Sequence, residues 1–419
     1  FMKASSGAFS PAEAIYQAVK KAGREGATVA FPSRNDKLDV AIRRNVLTSL
    51  NQTAGRITEL NAAELDAEYY ETSAHPGARP SHAEWQGQVF KIEGATADYP
   101  NFEDSTGYGE AGGLCGVNCR HTFYPFWPGL SERAYSPEKL SEYANHTVEY
   151  NGDEYHDYEA SQMQRAMERS IRESKRVLTG IEAARSEAGN EETLERLNDG
   201  FSAESVKLKE KEAKLKDFLR QTGRDAENDR VRVHGFNKSV SQKSIHAANK
   251  RFQQEAKETG AIFGGPKTLA ERLNLRYSDK KESDLYDLYV KQVRKGMVTP
   301  LVTFENYKKL HADIENRVVG MVTANGTEIK AQSKHFMERV IGTLDDPKKH
   351  EIRRGVDIDD IVDALKNPLK VADPISDRSG NRSQKYIGLR ATISVNPDTG
   401  SLIQCNPTKA QLAKGLIKK

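Results

Sequence analysis

A chain of 419 residues is long enough for two or three domains, each with a core of its own. With 29% charged and 37% hydrophobic residues and a mean hydropathy of −0.72, it reads as a soluble protein with much solvated helix surface. No apolar run approaches the roughly 20 residues of a transmembrane helix, and the net charge of +3 is near neutral, its excess gathered after Ala331, where 16 Lys and Arg face 11 Asp and Glu.

The opening "FMKASSGAFSPAEAIYQ" lacks the apolar core of a signal peptide, which predicts no export by the general secretory route. "SPAEAIYQAVKKAGREG" predicts a helix with Ser10 as N-cap, Pro11 at the first helical position and Gly26 at the end. A long amphipathic helix follows from "DKLDV" to "NAAEL", so two helices precede anything strand-like. Strands are expected in "DAEYYETSAH", "GQVFKI" and "RHTFYPFW". From Tyr158 the composition turns to Glu, Lys, Arg, Ala and Leu without proline, the mark of long exposed helices, broken at Gly180, Gly189 and Gly200.

"KETGAIFGGPKT" reads as a turn-rich boundary, and the stretch to about residue 315 as a linker with short helices. The end predicts a compact unit: a hairpin around Ala324-Asn325-Gly326, the helices "KHFMERVIGTL" and "DIDDIVDALKNP", then two strands, "QKYIGLRATISVNP" and "SLIQCNPT", joined at Asp398-Thr399-Gly400. The fold class is therefore α+β and multidomain. It comprises an α+β domain over 1–150, a helical spacer over 151–260, a linker over 261–315 and a small α+β domain over 316–419.

Three cysteines are too few for a disulfide framework and fit a reducing compartment. Cys115, Cys119 and His121, with His82, are four donors suited to zinc. His82-Ala83-Glu84 followed by the two cysteines imitates a zinc-dependent nucleobase deaminase. The cysteines are one residue too far apart for that pair, however, and "YPFWP" after Cys119 cannot continue a helix. A structural metal clip and plain buried thiols both remain open.

"HPGARPSHAEWQGQVFKIEG", "YPNFEDSTGYGEAGGLCGVNCRHTFYPFWPG" and "EASQMQRAMERSIRESKRVL" resemble the minor capsid, or head-morphogenesis, proteins of tailed bacteriophages, over residues 1 to about 260. That resemblance implies a low-copy virion component near the portal and the inner capsid surface, with portal and capsid proteins as partners and no catalytic role for this part. It also implies that His82, Cys119 and His121 hold loops together.

In the terminal unit His335 and Arg339 stand four apart on one predicted helix face. An imidazole exchanges protons near neutral pH and a guanidinium holds a phosphate, which are the means to cleave RNA without a metal. Lys385 and Arg390 can meet the phosphate, Tyr386 can stack on a base or pass a proton, Thr408 can bond a phosphate oxygen, and Arg353 and Arg354 precede the second helix. Period-two alternation limits how many of these converge.

"GMVTANGTEI", "SKHFMERVIG", "RRGVDIDDIVDALKNP" and "YIGLRATISVNPDTGSLIQCNPT" resemble the RNase toxins that include barnase, EndoU, RelE and certain colicins. The resemblance implies a cofactor-free endoribonuclease in which His335 and Arg339 are active-site residues, with Thr408 and Arg354 beside them, RNA as substrate and an immunity protein as partner. Such a protein would act in the virion and the host bacterial cytoplasm. The rival expectation is a purely structural head protein whose end domain only binds portal, DNA or another virion protein. No Walker loop, dinucleotide fingerprint or zinc-protease helix is present in the sequence.

Overall fold

The computed structural model describes residues 11–26, 28–31, 34–258 and 264–417. It is mixed α+β, 53% helix and 13% strand, the class expected from the sequence. The chain forms two compact units that meet between Ala248 and Asn249.

In the first unit α1 (Pro11–Glu25) stops at Gly26, whose φ of 58° suits glycine. The expected cap, Ser10, lies outside the described residues. A hairpin of β1 (Thr28–Phe31) and β2 (Arg34–Lys37) then precedes α2 (Leu38–Glu64), against the expectation that no strand comes so early. Strands of four residues are too short to show a period. The central sheet has β3 (Tyr69–Thr72) between β4 (Val89–Lys91) and β5 (Phe123–Phe126), all antiparallel, in the three stretches predicted as strands.

Two short helices, α3 (Pro80–Ala83) and α4 (Phe102–Thr106), lie in the loops between these strands. Beneath the sheet Tyr70, Phe102 and Phe123 meet at ring distances of 4.7 to 4.9 Å, the separations that edge and tilted aromatic pairs prefer. Onto this core α2 lays its small residues: Gly55 and Ala62 are buried, while Leu50, Ile57 and Leu60 are exposed.

After α5 (Pro137–Asn145) and a second hairpin, β6 (Thr147–Tyr150) with β7 (Asp153–His156), come the long helices α6 (Asp157–Ser186) and α7 (Glu191–Thr222). The chain breaks between them, at Gly189, as expected. Gly180 and Gly200 instead lie inside the helices. At Gly200 the role is room: a Cβ there would stand 2.1 Å from Cε2 of Tyr16, the buried residue by which α1 docks, whose ring also carries the Arg196 guanidinium at 3.9 Å. Near Gly180 the closest atom is Val19 Cγ1 at 3.7 Å, ordinary contact.

Helix α8 (Lys238–Glu258) runs across the boundary into the second unit. There α9 (Leu269–Ser278), α10 (Lys280–Arg294) and α11 (Phe304–Arg317) precede β8 (Ala331–Gln332), α12 (Phe336–Ile341), the short pair β9 (Gly342–Thr343) and β10 (Arg353–Arg354), and α13 (Ile358–Lys366). The sheet runs β11 (Lys370–Val371), β13 (Arg382–Ile387), β14 (Ala391–Val395), β15 (Ser401–Pro407), β8, with β12 (Ile375–Ser376) also on β13, and α14 (Ala410–Ile417) follows. Only β15 with β8 is parallel.

Two features depart from the sequence expectations. Residues read as linker share the unit's core: Tyr289 and Tyr307 are fully buried in one cluster with Phe336, Ile361, Tyr386 and Ile393. The stretch read as a single strand, "QKYIGLRATISVNP", folds back on itself as β13 and β14, because Gly388 lets the backbone approach Ala364 of α13, where a Cβ would meet the Ala364 Cα at 2.8 Å.

The two helix glycines predict opposite outcomes. Gly200→Ala gains up to about 1 kcal/mol of helix propensity, yet forces Tyr16 out of place at about 1–3 kcal/mol, so the urea midpoint should fall. Gly180→Ala meets no such clash and should raise it. Equal shifts in both would refute the packing assignment.

Candidate metal centre

Helix α3 carries His82, and the loop entering β5 carries Cys119 and His121. Their donor atoms converge: His82 Nδ1 is 3.3 Å from His121 Nδ1, and Cys119 Sγ is 3.7 Å from each. Both imidazoles are buried and Cys119 is half-buried. This group can hold a metal ion.

The outer ring nitrogens decide which inner ones are bare. Gly112 O, only an acceptor, takes the proton of His82 Nε2 at 2.9 Å. Gln86 Oε1 accepts the His75 backbone N–H at 3.1 Å, which fixes the amide's orientation, and therefore also accepts from His121 Nε2 at 3.1 Å. Each neutral ring thus turns a lone pair from Nδ1 toward the other. Burial foremost, then the neighbouring His75, His82 and Arg79, pushes the His121 imidazole down to about 3, and burial likewise lowers His82, so neither readily supplies a proton to fill the gap.

Cys119 has its own supports. The His121 backbone N–H donates to Sγ at 3.3 Å. Burial pushes the thiol up, against the pull of the His121 and Cys115 amides and of Arg79. Cys115 stands apart from the donor group: it is buried in left-handed backbone (φ 56°), offers its S–H to His121 O at 3.9 Å, and is pushed by burial to about 12. Glu84, which would move protons in a deaminase, is exposed while His82 is buried.

Sequence reasoning missed His75, whose ring stacks on His121 at 4.4 Å and whose Nε2 is buried without a partner. It also missed Gln86, although Gln86 lies four residues after His82, the spacing that puts two side chains on one side of a helical turn.

In the second unit the predicted residues separate. His335 stands just before α12 rather than inside it, with an exposed side chain whose Nδ1 is 3.2 Å from Oε1 of the buried Glu338. Arg339 is half-buried and its charge acts, with that of Arg353, on the Cys405 thiol, which burial holds near 12. Arg353 is tied to Asp346 and to the carbonyls of Met297 and Glu338.

Tyr386 corrects an expectation. It is fully buried, its hydroxyl 2.5 Å from Asn325 Oδ1 and 3.2 Å from Thr323 Oγ1, because the register Tyr386–Ile393–Cys405 faces the core. It cannot stack on a base. Alternation puts Lys385, paired with Ser394, on the opposite face. Thr392 shares that face and bonds Thr408 at 2.9 Å. Arg390 lies at the β13–β14 turn, 4.0 Å from Asp360, and Arg354 on β10 is exposed. Arg339 and Lys385 therefore do not share a face of the sheet.

The first unit thus sets a small sheet on an aromatic core, braced by a helix and by loops gathered around buried donors. The chain belongs to the phage minor capsid protein 2 family, whose model matches residues 1–220. It is thus a bacteriophage virion protein that works among other virion proteins in a structural or morphogenetic role. No curated protein and no solved structure matches it. No helix among the described residues is long and apolar enough to cross a membrane.

Depressed histidines make stability depend on pH. The unfolded chain takes up protons below about 6.5 while the fold resists until about 3, so this stability is complete above pH 6.5 and drains as pH falls toward 3. In EDTA the unfolding free energy from urea titration should drop from pH 7 to 4.5, by at most about 1.4 kcal/mol per pH unit for each group. His121→Gln should flatten the profile. An unchanged profile in that variant would contradict the assignment.

Proposed function

We propose that the chain is a minor head protein whose first unit is locked by a structural zinc on His82 Nδ1, Cys119 Sγ and His121 Nδ1. The spacing of the donors carries this reading. Zn–N bonds of about 2.0–2.1 Å and Zn–S bonds of about 2.3 Å at tetrahedral angles separate two nitrogens by about 3.3 Å and nitrogen from sulfur by about 3.6 Å, against 3.3, 3.7 and 3.7 Å here. The bonds to Gly112 and Gln86 are the outer supports that zinc-binding imidazoles use. A bound cation would satisfy both lone pairs and allow the Cys119 thiol to ionise. His75, once its ring rotates, is our candidate for the fourth ligand. Portal and capsid proteins are the partners in this reading, met in the host cytoplasm and kept in the virion.

A second reading concerns the terminal unit: a metal-independent endoribonuclease with His335 as the proton-carrying group, RNA as substrate and an immunity protein as partner. What favours it is the bond to Glu338, which orients the imidazole and leaves Nε2 toward solvent. The reading shrinks to this pair with Arg339, since Lys385 and Thr408 belong to another face of the sheet.

Metal analysis of the full chain purified with zinc and without chelator should give one zinc per chain. It should be lost in His82→Ala and Cys119→Ser and retained in Cys115→Ser; a metal-free wild type, or zinc retained by Cys119→Ser, rejects the lock. Full chain incubated with total RNA in EDTA should cut it, and His335→Ala should not. Intact RNA at high protein concentration leaves a terminal unit that only binds.

A further inference from the structure

The net charge of +3 conceals one strongly cationic place. In the first unit a cleft of about 570 Å³ opens between α2, α6 and the turn at residues 228–232. Seven arginines and Lys37 line it against two carboxylates, Glu168 and Asp229. Both carboxylates are already engaged: Arg230 stands 3.7 Å from Glu168, and Arg232 stands 3.2 Å from Asp229.

Three of the remaining cations have little to balance them. The side chains of Arg43, Arg165 and Arg169 make no hydrogen bond or ion pair among the described residues. Arg165 and Arg169 sit one turn apart on α6, with Arg172 a further turn along the same face. Arg165 is also half-buried, and burial first, then the charges of Arg230 and Arg120, disfavours its protonated form. Like charges gathered in a partly dry cleft repel one another, and a fold gains nothing by collecting them. An anion entering the cleft would reverse the sign of that interaction.

We propose that this cleft binds the phosphodiester backbone of double-stranded nucleic acid, with Arg43, Arg165 and Arg169 as the phosphate-contacting residues. A guanidinium offers two parallel N–H donors that fit a phosphate, and a row of them along one helix suits a ligand with repeating charge better than a single small anion. Backbone contact carries no base code, so binding should be independent of sequence. The inference does not rest on the zinc lock or on the ribonuclease reading.

The test is fluorescence anisotropy of the full chain with a labelled random-sequence DNA duplex across a salt series. Three phosphate contacts predict a slope of log K against log salt of about −3. Arg165→Gln/Arg169→Gln should weaken binding at least tenfold and reduce the slope by about 2, and Arg43→Gln, on another helix, should reduce it by about 1. Removing unbalanced cations should leave the melting temperature of the unliganded chain unchanged or higher, which separates lost binding from lost folding. No binding at low salt, or equal affinity and slope in the variants, overturns the proposal. So does a poly-glutamate competitor that binds more tightly than DNA, which would mark the cleft as a seat for an acidic protein segment.

Discussion

Two buried imidazoles, each with its proton committed outward, face one another across 3.3 Å with lone pairs inward. Much of the first unit hangs on this meeting. Gly112 and Gln86 reach it from different loops, and Asn51 of α2 donates to the Cys119 and His121 carbonyls at 3.4 and 3.2 Å. The helix, the long loop and the sheet are therefore joined at one point, where a single misplaced ring would leave several buried polar atoms without partners. The aromatic core supplies bulk apolar burial, whereas the histidine cluster sets which loop lies against which.

The sequence made part of this legible. Donor types singled out His82, Cys115, Cys119 and His121, and the family resemblance narrowed them to His82, Cys119 and His121. Cys115 could not be told from Cys119 by spacing: only the left-handed turn at residue 115 directs its sulfur elsewhere. The long helices declared themselves through composition. Gly180 and Gly200 were misread as breaks because a glycine inside a helix, whether required by a neighbouring ring as at Gly200 or free of any clash as at Gly180, looks in one dimension like a glycine that ends one. Tyr386 was misplaced for a related reason. Which face a strand residue takes depends on register, and the turn at Gly388-Leu389-Arg390 that sets the register has no strong signature of its own. The helices between 269 and 317 were undervalued although Tyr286, Tyr289 and Val293 recur at helical spacing.

Charge shows the same limit from another side. Arg43, Arg165 and Arg230 lie far apart in the chain, and the local excess of Arg and Lys between Arg165 and Arg176 is offset in the total by acids elsewhere. They become one feature only when α2 and α6 come together. A near-neutral total is thus no guide to local potential in a protein built from long, salt-bridged helices.

The second unit's apolar cluster recruits nothing earlier than Leu275 among the described residues, and the match to the family's model ends at residue 220. A body that completes its own interior can be cut from its carrier and replaced without redesigning either piece. Helix α8, which spans the boundary between the two units, is in that sense the stretch of chain behind which a different folded unit could be joined.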